Sequence, residues 1–308
     1  MIDTPFTVSA DLDLGTRVGS YLRSGDADVS IAEGQVPQAL DNVTDRGVAF
    51  EVNAEEFLLH VPNGASFHVI GGKHIRYARN GVSDRDVALF LLGSAWGALC
   101  YQRGLLPLHA SAVMHKGKVH AFTGQSGAGK STLAAGLSQR GLDFFTDDVL
   151  IIDPARIEGS TASCFAGQKD MKLWEDALAL TGVESHGPVR DEPDFKKHFA
   201  MPATTEEKGS GDLVSLTILK NENVRRDRDP IQIERVRGAQ ALKQLRESVY
   251  RMRYANAIMG RQALYTALAR LIAAVHVQTF DRSMLKPQFD NSATAMRDWI
   301  QNFDQADG

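Results

Sequence analysis

A glycine-rich stretch in the middle of the chain has the residue types and spacing of a phosphate-binding loop. Residues 124–131 read Gly-Gln-Ser-Gly-Ala-Gly-Lys-Ser and match the pattern Gly-x4-Gly-Lys-[Ser/Thr]. Glycine lets the backbone curl without a Cβ in the way, so that its amide groups can face an anion. Lys130 supplies a point charge for the β- and γ-phosphates, and the Ser131 hydroxyl suits Mg²⁺. The loop therefore predicts a site for a nucleoside triphosphate and its magnesium ion.

The sequence on either side of the loop supports this prediction. A short, mostly apolar run at 119–122 is typical of a strand, and residues 131–140 favour a helix with Leu133 and Leu137 on one face. Gly141 stands where a helix C-cap belongs. A helix that begins at the loop adds orphan amides and a favourable dipole for phosphate. The predicted nucleotide contacts are Gly124, Gln125, Ser126, Gly127, Ala128, Gly129, Lys130, Ser131 and Thr132.

Two adjacent acids follow the loop after one short helix. Asp147 and Asp148 lie in an otherwise apolar strand pattern at 143–152, where paired carboxylates are unfavourable unless they hold a metal or exchange a proton. Phosphoryl transfer needs both roles, one carboxylate near Mg²⁺ and one that accepts the proton of the attacking hydroxyl. Asp147 follows Lys130 by 17 residues, room for one helix and the start of a strand. We therefore expect the acids beside the loop, with a solvent-facing acid pair as the alternative.

A histidine precedes the loop by one predicted hairpin. His109 lies 21 residues before Lys130, at the start of segment 105–122, in which two strand patterns flank a turn at Lys116 and Gly117. Taken alone, a histidine is more often a core or surface residue than a catalytic one. Its place at the start of the hairpin that leads into the loop keeps it as a candidate.

Composition limits the class of protein. The 308 residues allow one large or two ordinary domains, and 43% hydrophobic with 23% charged residues is typical of a soluble globular chain. A formal net charge of −4 argues against a general nucleic-acid binder. The two cysteines, Cys100 and Cys164, are interpreted as reduced thiols. Because the N-terminus is unlike a signal peptide and no apolar run reaches about 18 residues, we predict a cytoplasmic protein that does not bind membranes.

The sequence pattern changes near residue 83. Residues 1–82 contain short strand candidates, among them 48–52, 57–61, 66–70 and 75–78, and predict a β-rich N-terminal region. From Ser83 a helical pattern continues to Cys100, and residues 83–308 as a whole predict one α/β domain built around the loop.

Several elements are predicted towards the C-terminal end. The polar segment 186–212 is predicted to be a long loop, and we place the acceptor there because long loops in compact domains often bind substrates. The remaining predictions are a charged turn at 221–229, two helices within 239–274 broken near 256–260, a strand at 275–280 and a terminal helix at 293–303.

These features together resemble the HPr kinase/phosphorylase superfamily. The matching segments are Leu106-Pro-Leu-His109, the loop at 124–131, Thr146-Asp-Asp-Val149 and 167–174. They look like a diverged branch that includes the kinases of lasso-peptide gene clusters, which phosphorylate a C-terminal serine of the precursor peptide. The resemblance is specific over about residues 105–175. It implies an α/β fold, with a P-loop kinase domain of the HPr-kinase/carboxykinase type and a mixed central sheet over 83–308, preceded by the smaller β-rich region.

The resemblance also implies a role for each matched residue. Lys130 would contact the phosphates, and Ser131 with Asp148 would hold Mg²⁺. Either Asp147 or Asp148 would be the general base, and His109 would orient or polarise that pair. The implied catalytic residues are therefore Asp147, Asp148, His109 and Lys130. Two further lysines would neutralise phosphate or bind substrate, with solvated side chains as the alternative: Lys169 and Lys172.

We predict a Mg²⁺- and ATP-dependent kinase that transfers the γ-phosphate to a serine hydroxyl of a peptide or small protein. The alternatives are a kinase of a free small metabolite and a P-loop module that hydrolyses or senses nucleotide without an acceptor. A kinase should consume ATP faster when its acceptor is present, whereas a switch should hydrolyse ATP alone. The expected partner is a peptide or small protein, with no nucleic acid and no membrane. The acceptor, the adenine pocket, reversibility and the oligomeric state, a homo-oligomer included, stay open.

Overall fold

The structure is a computed structural model that describes residues 4–167, 169–189, 195–205, 208–220, 231–282 and 286–303. It is a mixed α/β protein, with three sheets among those residues. The chain forms two compact units, Met1–Pro107 with Val249–Ala267, and Leu108–Ser248 with Leu268–Gly308. Within the described ranges, no helix has the length and apolar character that a membrane span needs.

The helices are short, and the longest in the described ranges has 14 residues. A π-helical turn at Leu91–Ala95 separates the first two, and 3₁₀ helices lie at Gly15–Val18 and Lys286–Gln288. In chain order the α-helices are α1 (Asp84–Phe90), α2 (Trp96–Gln102), α3 (Lys130–Ser138), α4 (Glu175–Thr181), α5 (Gly238–Arg246), α6 (Met252–Met259), α7 (Arg261–Ala274) and α8 (Phe289–Gln301).

The first unit is built on a seven-stranded sheet with the order β1-β2-β7-β6-β5-β4-β3. The pairs β1–β2 and β2–β7 are parallel, and the remaining neighbouring pairs, from β7–β6 to β4–β3, are antiparallel. The strands predicted at 48–52, 57–61, 66–70 and 75–78 are all present, shifted by at most two residues. The strands of the sheet are β1 (Val8–Ala10), β2 (Val29–Glu33), β3 (Asp45–Arg46), β4 (Phe50–Val52), β5 (Glu56–His60), β6 (Ser66–Ile70) and β7 (His74–Ala78).

The helical segment after Ser83 belongs to this first unit. The Ser83 hydroxyl accepts a hydrogen bond from the backbone N–H of Asp86 and caps α1, which begins where the helical pattern is predicted to begin. Gly93 and Gly97 let the Tyr250 ring approach the helical segment, because a Cβ at either position would lie 3.1–3.3 Å from that ring or its hydroxyl. The division of the chain into 1–82 and 83–308 therefore differs from the two compact units, and the domain boundary stays a prediction.

The second unit contains a mixed sheet with the strand order β11-β9-β10-β17-β13-β12, in which β19 also pairs with β17 and β18 pairs with β19. Strands β10, β17 and β19 are parallel neighbours. The strands from residue 106 onward are β8 (Leu106–Leu108), β9 (Ser111–His115), β10 (Lys118–Thr123), β11 (Asp143–Thr146), β12 (Leu150–Glu158), β13 (Thr161–Ala166), β14 (Met171–Trp174), β15 (Ser185–Pro188), β16 (Lys197–Ala200), β17 (Ser210–Leu219), β18 (Gln232–Arg235) and β19 (His276–Asp281).

The predicted hairpin into the loop is present as β9 and β10. Lys116 and Gly117 form its two-residue turn with φ of +49° and +78°, which matches the turn that suits the twist of antiparallel strands. After the loop, α3 buries Leu133 and Leu137 against Phe122 of β10 and against α8, which contributes Met296. The strand, the loop and the helix therefore stand in the predicted order.

Other predictions need correction. The segment 186–212 is not a long loop in its described part, because most of β15, all of β16 and the start of β17 lie in it, and β14, β16 and β15 form a three-stranded antiparallel sheet. The helices predicted within 239–274 are three, α5, α6 and α7, with the predicted break at Gly260 and a second break at 247–251. The predicted strand at 275–280 and the terminal helix are present as β19 and α8. The turn predicted at 221–229 lies outside the described residues.

Candidate functional site

The phosphate loop follows β10 at the carboxyl end of the parallel strands, where ligands bind in α/β sheets. Gly124, Gly127 and Gly129 have φ of +142°, +81° and +79°, values that residues with a Cβ rarely adopt. Gly124 is also sterically required, because a Cβ there would lie 2.7 Å from the carbonyl oxygen of Leu219 at the end of β17. The three glycines thus allow the curled backbone that the sequence pattern predicts.

Lys130 is folded back over the loop that precedes it. Its Nζ donates hydrogen bonds to the carbonyl oxygens of Gly124 at 3.0 Å and Gln125 at 3.2 Å. Burial lowers the pKa of Lys130, and the charges of Asp147 and Asp148 oppose that shift. A cation held at this point faces the volume in front of the loop and suits an anionic ligand.

Asp147 is buried, with 2% of its surface exposed, and both of its carboxylate oxygens accept hydrogen bonds. Oδ1 accepts from the hydroxyls of Ser111 at 2.6 Å and Ser131 at 2.8 Å, and Oδ2 accepts from the backbone N–H of Lys172 at 3.1 Å. The side chain therefore joins β9, α3 and β14. Oxygen ligands are what Mg²⁺ prefers, so the Ser131 hydroxyl and the Asp147 carboxylate fit this ion.

Asp148 has a different environment from its neighbour. Its φ is +67°, a left-handed conformation uncommon for residues with a side chain, although aspartate adopts it more often than most. The turn is supported by Val149, whose N–H donates to Asp147 O at 2.8 Å and whose carbonyl accepts from the Thr146 hydroxyl at 3.0 Å. This local turn points the two adjacent carboxylates at different partners.

The Asp148 carboxylate is partly exposed and lies between two basic side chains. Oδ1 is 3.2 Å from Nδ1 of His109, and Oδ2 is 3.7 Å from Nζ of Lys172. Burial alone would raise the pKa of Asp148, but the hydrogen bond from His109 and the charge of Lys172 outweigh it and hold that pKa well below its usual range. Asp148 is therefore an ionised carboxylate at neutral pH.

His109 is held at its backbone as well as its ring. Its N–H donates to Ser248 O at 2.7 Å, and its carbonyl accepts from the Thr123 hydroxyl at the end of β10 at 2.9 Å. The ring Nδ1 lies 2.9 Å from the backbone oxygen of Asp148, in addition to its contact with the carboxylate. The backbone oxygen and the carboxylate oxygen of Asp148 can only accept hydrogen bonds, so Nδ1 of His109 carries the proton in this arrangement.

A cavity of about 280 Å³ collects most of the predicted residues. It is lined by His109, Ser126, Gly127, Gly129, Lys130, Ser131, Thr132, Asp147 and Asp148. Three predicted contacts do not line it and instead act through carbonyl groups that fix the loop: Gly124, Gln125 and Ala128. The roles assigned to these residues stay predictions, but the structure brings the loop, the acid pair and the histidine to one place.

The two candidate lysines are separated by the structure. Lys172 lines the cavity beside Asp148. Lys169 does not line it, since its Nζ donates to Lys208 O at 2.8 Å and lies 5.3 Å from the centre of the Phe145 ring. Of the two, only Lys172 has a position from which it could contact a ligand of this cavity.

Sequence reasoning missed further residues of the cavity wall. Lys197 lines the cavity and lies in segment 186–212, which is predicted as a whole to bind the acceptor. Arg282 directly follows β19 and also lines the cavity. Its position could have been predicted from parallel pairing of the strands, because the carboxyl ends of neighbouring parallel strands meet at one edge of a sheet. Trp174 and Phe289 give the cavity an aromatic lining at two further points.

Comparisons with known proteins add little to this geometry. No protein-family model matches the chain, and no curated protein matches it. Among solved structures, the chain is similar to the Hpr(Ser) kinase/phosphatase from Coxiella burnetii, with 13% sequence identity and a TM-score of 0.34, over 66% of this chain and 99% of that one. A similarity at this level does not transfer an activity to this chain.

Proposed function

We propose that the chain is a Mg²⁺- and ATP-dependent kinase that phosphorylates a serine hydroxyl of a peptide or small protein. The observation that carries the proposal is the pair of Asp148 and His109 in the same cavity as the phosphate loop. A phosphate loop alone fits any nucleoside triphosphatase. An ionised carboxylate held by a histidine in front of that loop is the group that transfer to a hydroxyl needs in addition.

The nucleotide end of the cavity is the loop itself. The loop amides and Lys130 would hold the β- and γ-phosphates, and Ser131 with Asp147 would hold Mg²⁺. When bound, Mg²⁺ supplies charge neutralisation of the phosphate oxygens. The sequence-based hypothesis placed Asp148 with Ser131 on the metal, but the hydroxyl of Ser131 bonds to Asp147, and this favours Asp147 for that role.

Asp148 is then the carboxylate that would act on the acceptor hydroxyl. Its carboxylate would take the proton of the acceptor hydroxyl as the oxygen bonds to the γ-phosphorus and the bond to the β-phosphate oxygen breaks, with ADP as the leaving group. His109 fixes the carboxylate, and Lys172 offsets its charge. The low pKa of Asp148 makes it a weak base by itself, but a phosphate anion bound nearby raises the pKa of a carboxylate by like-charge repulsion.

The class of acceptor rests on the sequence resemblance and on the cavity rim. Lys172 and Lys197 line the cavity on the side of the small three-stranded sheet, so they suit an acceptor that carries a carboxylate. Trp174 is 49% exposed there and lies 5.4 Å from the Phe195 ring, which offers an aromatic surface to a peptide side chain. A peptide whose serine is C-terminal would present its hydroxyl and a carboxylate together.

The experiment is phosphoryl transfer followed by mass spectrometry. The protein is incubated with Mg²⁺-ATP and a peptide encoded beside its gene that ends in serine, with HPr protein and free serine in parallel. Matched peptides carry an alanine or an amidated serine at the C-terminus. We expect one added phosphate on the serine peptide and none on the alanine peptide. Asp148→Asn should form the product at least about 100-fold more slowly, and Lys243→Met, which changes an exposed lysine on α5, should leave the rate unchanged.

Other outcomes would redirect the assignment. Phosphate on free serine without phosphate on any peptide would favour a small-metabolite kinase. ATP consumed at the same rate with and without acceptors, and no acceptor modified, would favour a nucleotide switch. Failure to bind ATP at all would contradict every function that is based on the loop.

A further inference from the structure

Arg282 is a buried cation that contacts the phosphate loop. It follows the last residue of β19, and only 5% of its surface is exposed. One terminal nitrogen, NH2, donates to the carbonyl oxygen of Ala128 at 2.8 Å, and the guanidinium carbon lies 5.4 Å from the centre of the Phe280 ring. The same side chain lines the cavity that holds Lys130.

The guanidinium of Arg282 does not have a hydrogen-bond partner for each of its terminal nitrogens among the described residues. Its other terminal nitrogen, NH1, is buried and has no hydrogen-bond partner within the part of the chain that the structure describes. Burial lowers the pKa of Arg282 to about 10, against the effect of the Asp281 charge, so the group is still protonated at neutral pH. A buried charge is unfavourable without a counter-charge, and a polyphosphate in the adjoining cavity would supply one.

The bond to Ala128 also determines where a loop amide points. The peptide unit between Ala128 and Gly129 is planar and trans, so its carbonyl and its N–H point in opposite directions. Arg282 holds the carbonyl on its own side, and the N–H of Gly129 is therefore directed away from Arg282. Gly129 lines the cavity, with φ of +79°. Lys130 acts in the same way on the carbonyls of Gly124 and Gln125.

We propose that Arg282 is a positioning residue for nucleotide phosphates, which fixes the Ala128–Gly129 peptide through the Ala128 carbonyl and adds a second cation to that of Lys130. This rests on the proposed function only in that the cavity binds a nucleoside triphosphate. The role is specific for polyphosphate, since nothing in these contacts involves a base or a sugar. Loss of Arg282 should therefore weaken ligands in proportion to their phosphate charge.

The test measures binding of inorganic tripolyphosphate, ATP and AMP by calorimetry, with Mg²⁺ present, to wild type, Arg282→Met and Arg282→Lys. We expect Arg282→Met to weaken tripolyphosphate and ATP about 10- to 100-fold, the range spanned by hydrogen bonds to charged groups, and AMP much less. Arg282→Lys should give an intermediate loss for tripolyphosphate, because it keeps the charge but not the fork of donors.

The melting temperature without ligand is a readout that separates positioning from a merely structural role. Methionine removes the donor to the Ala128 carbonyl, so the melting temperature without ligand measures the structural effect alone. A positioning role predicts in addition that the increase of this temperature on adding tripolyphosphate shrinks. Arg140→Met is the matched control. Arg140 also donates to a carbonyl, that of Gly136 at 2.7 Å, but it does not line the cavity, and tripolyphosphate affinity should be unchanged.

Each failure has its own meaning. If wild type binds neither tripolyphosphate nor ATP, the proposed function and this role fall together. If wild type binds both and Arg282→Met binds them equally well, only the role of Arg282 is overturned. If Arg282→Met does not fold, Arg282→Lys decides, and unchanged tripolyphosphate affinity in that variant overturns the proposal.

Discussion

Ser131 of the phosphate loop donates a hydrogen bond to Asp147 at 2.8 Å, and this bond joins two motifs that lie 16 residues apart in the sequence. Asp148, the next residue, does not share these partners and faces His109 at 3.2 Å. The two adjacent carboxylates thus have different partners, one hydrogen-bonded to the loop and the other held by a histidine. Substitution of each acid should therefore have a different consequence.

Asp148→Asn should lower kcat while nucleotide binding is retained. The amide keeps the size of the side chain but does not accept a proton as a carboxylate does, so we expect a loss of at least about 100-fold, the scale of general-base catalysis. The dissociation constant of ATP, measured by calorimetry, should stay within about threefold of wild type. Wild-type turnover in this variant would remove Asp148 from the mechanism.

Asp147→Asn should damage stability and Mg²⁺-dependent binding together. Asp147 accepts three hydrogen bonds, and an amide nitrogen would face one of those donors without accepting from it. Leaving a buried donor unsatisfied costs about 1–3 kcal/mol in the free energy of unfolding. The gain in ATP affinity on adding Mg²⁺ should also shrink. Asp143→Asn, at the start of β11 and away from the cavity lining, is the control and should change neither quantity.

The local parts of this site could be predicted from the sequence. The loop, its helix and the acid pair occupy residues 124–148, and the β9–β10 hairpin places His109 close to them. Over such short separations, the lengths of one helix and one hairpin leave the chain few alternatives. The differing environments of Asp147 and Asp148 were beyond the sequence, because they depend on a left-handed residue at position 148.

The parts brought in from far along the chain could not be predicted in the same way. Arg282 reaches the loop only because β19 pairs in parallel with β17, which pairs in parallel with β10. The small sheet of β14, β15 and β16 lies partly in a polar segment, and its strands of four residues each are too short to show alternation. Such contacts follow from tertiary pairing and leave no local pattern in the sequence.

Lys172→Met and Lys169→Met form a matched pair, because the two lysines are three residues apart and only Lys172 lines the cavity. Lys172 lies 3.7 Å from Asp148, so its removal takes away a charge that balances the carboxylate and the incoming phosphate. We expect the ratio kcat/KM for the acceptor to fall about tenfold in Lys172→Met, the effect of a moderately strong charge interaction. Lys169→Met should stay near wild type, and equal losses in both variants would contradict the assignment.

Gly124→Ala should disrupt the phosphate loop, because both the backbone angle and the space are unsuitable for alanine. The φ of +142° is strained for any residue with a Cβ, and that Cβ would lie 2.7 Å from Leu219 O, a backbone atom. We expect a loss of about 1–3 kcal/mol in the free energy of unfolding and no measurable ATP binding. Gly127→Ala has the strain without the clash and should be affected less, while Gly34→Ala has neither and should be neutral.

The stability that Asp148 provides should depend on pH in a defined direction. Its pKa is lowered from 3.8 in the folded protein, so the unfolded chain takes up a proton first as the pH falls. The contribution is therefore complete above pH 3.8 and is lost as the pH falls towards the folded pKa. In urea unfolding, the difference between wild type and Asp148→Asn should be smaller at about pH 3 than at about pH 5. A difference that grows towards acid would contradict the lowered pKa.

The same measurement in a His109→Ala background identifies the cause of that pH dependence. Without the hydrogen bond from His109, the pKa of Asp148 should rise towards its ordinary value. The effect of Asp148→Asn on the free energy of unfolding should then depend less on pH. The two single variants and the double variant form a cycle, and a coupling energy between positions 109 and 148 that is smaller at about pH 3 than at about pH 5 is the expected result. Coupling that persists unchanged at that pH would mean that the two side chains interact by packing rather than by charge.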